Sequence, residues 1–206
     1  MSTTFIIIRH GYSKSNEYGR FIGQTDVALS ERGKIQAEQT AKYLYGHYSI
    51  DFIYSSPLQR AYQTAVPLSN YFHLPIQIET DLQEINGGAW EGKLPEELLK
   101  LYRDDYTLWL SNIGVARCTQ GENMQEVQNR ALKLLSKIAN KHEDKTIAII
   151  THAGVIRALQ CFWNNLPLSE MKTIPWVENC SLSIIHQTNK IFYPIEIGSC
   201  QHFQEP

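Results

Sequence analysis

Cysteine is scarce in this 206-residue chain: Cys118, Cys161, Cys180 and Cys200 lie far apart, with no CxxC pair. That spacing offers no disulfide framework, and a chain of this length buries enough core to do without one, so the four read as free thiols. An excess of charge is also missing. Nineteen basic and 21 acidic residues leave a net charge of -2 and a pI near 6.4. Their scatter provides no basic stripe along which nucleic acid phosphates could run. Long apolar runs are absent too. The run from Phe5 to Ile8 is far shorter than a secretory h-region or a membrane span, which points to a cytoplasmic protein with no membrane partner. Tandem repeats, low-complexity tracts and Pro/Gly/Ser-rich linkers are lacking as well, so one domain is expected over residues 1–206.

What is present is an alternation of strand and helix patterns. Phe5 to Arg9, Asp51 to Ser56 and Thr146 to Thr151 are short, mostly apolar and rich in β-branched or aromatic residues, as strands covered on both faces are. Ala37, Ala41, Leu44 and Tyr45 fall at helical spacing after Ser30, a candidate N-cap. A second helix is expected to start with Ser56 as cap and Pro57 in its first turn, burying Leu58, Ala61, Tyr62 and Ala65 before Pro67 disturbs it. A third spans roughly Glu122 to Lys141 and buries Val127, Ala131, Leu134, Leu135 and Ile138. A fourth follows His152 and uses Val155, Leu159, Phe162 and Trp163. Late strands are expected at Ser181 to His186 and Lys190 to Ile197, the last of them antiparallel. The pattern predicts an α/β fold, a three-layer sandwich whose mainly parallel central sheet is flanked by helices. Residues 86–121 have weaker periodicity and more glycine and aromatics, among them Trp90, Tyr102, Tyr106 and Trp109 with Arg103 and Arg117. That stretch is the candidate lid.

Ligands of such folds bind at the carboxyl ends of strands, and four basic groups fall there. Arg9 and His10 close the first strand, Arg60 lies in the first turn after the second, and His152 follows Thr151. Each alone has an ordinary explanation, as a hydrogen-bonded histidine or a solvated arginine. Together near a helix N-terminus they repel one another unless an anion joins them, and phosphate is the natural guest. The planar fork of Arg can hold two phosphate oxygens, which makes Arg9 and Arg60 the candidate clamp. A metal held by His10, His152 and a carboxylate would be opposed by both guanidinium groups, so no metal and no cofactor is expected.

The motifs then spell a family. Ile8-Arg-His-Gly11 with Ser13 and Asn16, Gly19-Arg20, and Asp26, Leu29, Ser30 and Gly33 resemble the opening signature of the histidine phosphatase superfamily, in its phosphoglycerate mutase-like branch. The likeness continues through Tyr54 to Ala61, Thr64-Ala65, Leu82 to Glu84, Gly88 to Gly92, Gly121-Glu122 and Thr151 to Arg157. Four motifs in the family's order are specific where a lone Arg-His-Gly is weak. The resemblance implies that His10 is the nucleophile, that Glu84 is the proton donor, and that Arg9, Arg60 and His152 complete the catalytic set. It also implies that Arg9, Asn16, Arg60 and His152, with Ser13, Gly23 and Ala153, bind the substrate. A neutral imidazole nitrogen can attack phosphorus directly. Glu84 can protonate the departing alkoxide and later deprotonate the water. His152 is expected to stay charged or to donate a hydrogen bond, aided by backbone N–H groups of Ala153 and Gly154 at the helix start. Glu91, in a Gly-rich turn, and Glu122, read as a dipole-favoured helix-start residue, rival Glu84 less well.

Departures from the family pattern are few. Ser13 stands for the usual Thr, Ile22 for a frequent Gln and Asn123 for a common Ser. Ile22 puts substrate binding nearby in doubt. About thirty residues separate Gly92 from Glu122 and little follows Gly198, whereas family mutases carry a longer insertion and tail to shield the phosphohistidine. The reading is therefore a phosphatase acting on a small phosphorylated metabolite, similar to family members such as alpha-ribazole phosphatases. A cofactor-dependent phosphoglycerate mutase and a non-catalytic phospholigand-binding protein are the alternatives, and a homodimer is left open. The remaining histidines, His47, His73, His142, His186 and His202, are read as structural or solvated.

Overall fold

The structure, a computed structural model, describes residues 2–17 and 19–203. Its centre is a six-stranded sheet: β1 (Ser2–Arg9), β2 (Phe52–Ser55), β3 (Ile76–Ile78), β4 (Thr146–Thr151), β5 (Leu182–Thr188) and β6 (Ile191–Ser199), in the order β3-β2-β4-β1-β5-β6. The pairs from β3 to β1 are parallel, and β5 and β6 are both antiparallel to their neighbours. The sheet is mainly parallel as expected, but the antiparallel turn comes one strand earlier than the sequence reading placed it. Alternate residues of the central strands serve two separate cores. Ile6, Ile8, Ile53, Ala148 and Ile150 face a layer built from α1 (Glu31–His47) and α2 (Gln59–Phe72), contributing Ala41, Leu44, Ala61, Ala65 and Leu68. Phe5, Ile7, Tyr54, Ile147 and Ile149 face the other layer, where α5 (Met124–Lys141) and α6 (Ala153–Trp163) bring Val127, Ala131, Leu134, Val155 and Leu159. Strands covered on both faces can be apolar throughout, which is why these runs read as continuous rather than alternating.

Helix ends follow their caps. Ser30 Oγ accepts the N–H of Gly33 at 3.2 Å and starts α1. Asn123 and Glu126 form a reciprocal capping box, so α5 starts at Met124 and not at Glu122. Ser56 does not cap a helix at Pro57. Its Oγ accepts the N–H of Leu58, and α2 starts only at Gln59. Pro67 does not end α2 either. The helix runs on to Phe72 because Thr64, Ala65 and Leu68 are buried around the break, and that packing outweighs a lost backbone hydrogen bond. Tyr45, Tyr62 and Phe162, expected on buried faces, are 57%, 43% and 45% exposed, each at the margin of its apolar stripe. Inside the candidate lid lie α3 (Pro95–Leu101) and α4 (Arg103–Ser111). Trp90 is fully buried there, in edge-to-face contact with Phe21, Tyr106 and Trp109.

Candidate active site

Parallel register brings four loops to one edge of the sheet. Arg9 pairs with Thr151 in β4, and Ile150 pairs with both Ile8 and Ser55. The next residues along each strand, His10, His152 and Ser56, therefore leave the sheet side by side. The chain after β3 makes a 3-10 turn at Thr80–Leu82 and delivers Glu84 to the same edge. This edge holds the carboxyl ends of all four parallel strands, where open α/β sheets put their ligands.

The rings of His10 and His152 stand 5.1 Å apart. Nδ1 of His10 lies 2.8 Å from the carbonyl oxygen of Gly11. A carbonyl can only accept, so Nδ1 carries the hydrogen and, in the neutral ring, Nε2 keeps its lone pair. Burial holds the His10 pKa well below the usual histidine value, and the guanidinium groups of Arg60 and Arg9 push it further the same way. Neutrality is thus built in. The backbone is fixed from both sides: Thr64 Oγ1 accepts the N–H of Gly11, while Asn179 Nδ2 donates to the His10 carbonyl and the Cys180 N–H to that of Arg9.

Burial and the charge of Arg60 also hold His152 well below the ordinary histidine value. Of the two expectations for His152, charge or a donated hydrogen bond, this lowered pKa favours the second, from a neutral imidazole. Its Nε2 is 2.8 Å from Ser56 Oγ, and its buried Nδ1 has no partner among the described residues. Arg60 is 2% exposed and donates from Nη1 to the Thr25 carbonyl and from Nη2 to that of Gly23, at 3.0 and 2.6 Å. Arg9 donates from Nη1 to the Val177 carbonyl, and its buried Nε has no partner among the described residues. Each fork is tied to backbone by part of its donor set only, leaving further N–H groups for an anion.

Residues 5–194 match the Histidine phosphatase superfamily (branch 1). The chain belongs to that superfamily. Phosphoserine phosphatase 1 of Hydrogenobacter thermophilus is 34% identical over 200 residues, covering 97% of this chain and 94% of that protein. Adenosylcobalamin/alpha-ribazole phosphatase of Escherichia coli is 28% identical over 165 residues, with 80% and 81% covered. Among solved structures, Bacillus stearothermophilus YhfR superposes with a TM-score of 0.92 at 30% identity, covering 97% of this chain and 98% of that one. This histidine phosphatase is a hydrolase of phosphate monoesters with a small phosphorylated substrate.

Glu84 sits half-buried at the rim of this candidate site. One carboxylate oxygen accepts the N–H of Ile85 at 2.9 Å and the other that of Gly154 at 3.0 Å. The Gly154 N–H, anticipated as a phosphate donor, is therefore used by Glu84, leaving Ala153 as the first N–H of α6. Gly23, expected to bind substrate, is engaged in the same way. Its N–H donates to Glu91 Oε2 and its carbonyl accepts from Arg60. A Cβ at Gly23 would lie 2.2 Å from the Ile85 carbonyl oxygen, so only glycine lets the two loops pass.

Ser13 and Asn16 bind one another, with Asn16 Oδ1 accepting from both the N–H and the hydroxyl of Ser13 at 2.9 Å. Glu91 is engaged by the loop that faces it. Its carboxylate accepts from the N–H groups of Gly23, Gln24, Thr25 and Gly87 and fixes the loop that carries Ile22. Glu122 is not a dipole-favoured helix-start residue but the ion-pair partner of Arg130 at 2.9 Å. Sequence reasoning missed Arg130, Asn179 and Gln24. Glu122 precedes the N-cap of α5, so helical periodicity gave no signal for its pairing with Arg130.

Proposed function

We propose that this histidine phosphatase works in two steps through a phosphohistidine on His10. Nε2 of His10 attacks phosphorus, the P–O bond to the alcohol breaks, and the leaving oxygen takes a proton from Glu84. The resulting carboxylate then deprotonates a water, which attacks phosphorus, breaks the P–N bond and returns His10 neutral with inorganic phosphate released. Arg9 and Arg60 hold the non-bridging oxygens throughout. His152 adds a donor from Nδ1, which has no partner among the described residues. Ser13, Asn16 and Ala153 line the approach in this reading. The observation that carries it is the His10 ring itself, neutral by burial and turned so that Nε2 keeps its lone pair.

No metal enters these steps. Among the described residues no three His, Cys, Asp or Glu side chains gather as a metal site requires, and Arg9 and Arg60 supply the positive charge. Phosphoserine is the first substrate to assay, because a relative covering 97% of the chain carries that activity in its name; alpha-ribazole phosphate is the second. Residues 86–121 are read as a cover over the site within a single domain, since Glu91 and Trp90 join that stretch to the loop that holds Arg60. A cytoplasmic location belongs to the same reading, supported by four free cysteines.

The test is rapid-quench detection of an acid-labile, alkali-stable phosphoprotein from a generic aryl phosphate with chelator present. Wild type should show a transient label and release phosphate, and His10→Ala neither. Undiminished turnover in His10→Ala would overturn the reading. A persistent label that passes to a phosphoglycerate without phosphate release would favour a mutase.

A further inference from the structure

We propose that Arg130 is a positioning residue that fixes Glu84 for proton transfer, with Glu122 as its counter-ion in that task. The inference rests on the proton-donor reading of Glu84 above. The residues around Glu84 need such a device, because between the 3-10 turn at Thr80–Leu82 and the next one at Gly88–Trp90 no strand or helix holds the backbone. Arg130, on α5, reaches this segment from the side. Its Nη1 donates to the Asp81 carbonyl at 2.7 Å and its Nη2 to the Glu84 carbonyl at 3.1 Å. The same guanidinium grips Glu122 bidentately, Nε to Oε1 at 2.9 Å and Nη2 to Oε2 at 3.1 Å. Glu122 Oε2 in turn accepts the N–H of Asn86 at 2.8 Å.

One ion pair therefore holds residues 81, 84 and 86, on both sides of the proton donor and at its own carbonyl. Gln24 Nε2 donates to that carbonyl as well, and Thr151 Oγ1 to the carbonyl of Leu82. The pair is 16% and 22% exposed, so water competes little for these bonds. A planar five-donor fork suits the geometry, and a Lys ammonium could not span it. Arg130 bonds the backbone of Glu84 and not its carboxyl, which rests on the N–H groups of Ile85 and Gly154, so its effect on the reaction passes through Glu84. A general acid must lie within hydrogen-bond reach of the leaving oxygen, and a shift of one ångström costs on the order of a hundredfold in rate.

The experiment compares kcat/KM across aryl and alkyl phosphates of rising leaving-group pKa for wild type, Glu84→Gln, Arg130→Gln and Glu122→Gln, each checked for folding by thermal melting. Good leaving groups depart without a proton, so a misplaced acid is felt on poor ones. We expect Arg130→Gln to lose on the order of a hundredfold on alkyl phosphates and less than about threefold on nitrophenyl phosphate, which is the signature of a general acid contribution. Glu122→Gln should steepen the same dependence less, and it decides the matter if Arg130→Gln does not fold. Combining Arg130→Gln with Glu84→Gln should add no further steepening, because both act through one carboxyl. An equal loss on every substrate, or no loss, in the folded Arg130 or Glu122 variants overturns the inference. If Glu84→Gln itself leaves the dependence unchanged, the proton-donor reading fails first.

Discussion

At Gly154 a hydrogen stands where any other residue would put a Cβ 2.3 Å from Oε1 of Glu84. The neighbour is the end of a flexible side chain, so Gly154→Ala should fold while pushing the carboxylate off its seat. Its helical position favours Ala over Gly by up to about 1 kcal/mol. The expected outcome is an unchanged or slightly raised melting temperature with turnover of alkyl phosphates reduced about tenfold or more. Retained turnover on those substrates would show that Glu84 tolerates a different seat. The sequence made His10, Arg60, Glu84 and His152 legible because each follows a strand and belongs to an ordered motif. It did not reveal that the N–H groups of Gly154 and Gly23 are already engaged by Glu84 and Glu91. Backbone donors look alike in a sequence, and their partners here lie 70 and 68 residues away.

Among the elements, α5 shows how a departure from the family pattern can be neutral for the fold. Asn123 Oδ1 accepts the N–H of Glu126 at 3.0 Å and the Asn123 N–H donates in return to Glu126 Oε2, as a Ser there would. Asn123→Ala should cost about 1 kcal/mol of stability, measurable by urea denaturation, with kcat little changed. Loss of activity without loss of stability would instead give Asn123 a role at the site. The helix was readable because its buried positions, Val127, Ala131, Leu134, Leu135 and Ile138, keep strict helical spacing. β3 was not, because it is three residues long with no residue fully buried. The pairs that hold it to β2 leave no periodic trace. The start of α2 was misplaced for another reason: Ser56 and Pro57 are good helix-start residues spent on a turn that aims Ser56 at His152.

For the whole molecule, three buried imidazoles share one thermodynamic consequence. His10, His152 and His142 all sit below the ordinary histidine pKa, first because of burial. The unfolded chain therefore takes up protons below about pH 6.5 that the folded chain refuses, and stability must fall as pH drops through that value. Denaturant midpoints should be flat above pH 7 and decline toward pH 5. His10→Asn and His152→Asn should each flatten the decline. A midpoint independent of pH would contradict the neutral state of these rings. The layered architecture itself was legible from the apolar strands and amphipathic helices, whereas the order of strands was not, since it is settled by pairings between distant segments.

That order governs how the molecule can be made. β1 precedes β2 to β6 in the chain, yet its two neighbours in the sheet are β4 and β5, and Ser2 to Arg9 pair with residues 146–151 and 182–188. A nascent chain carrying His10, Arg60 and Glu84 has no sheet edge on which to assemble them until those late strands leave the ribosome. Such non-local pairing slows folding and leaves apolar strands exposed in the meantime. His10 is thus translated well before the strands that surround it and is among the last residues to acquire its surroundings.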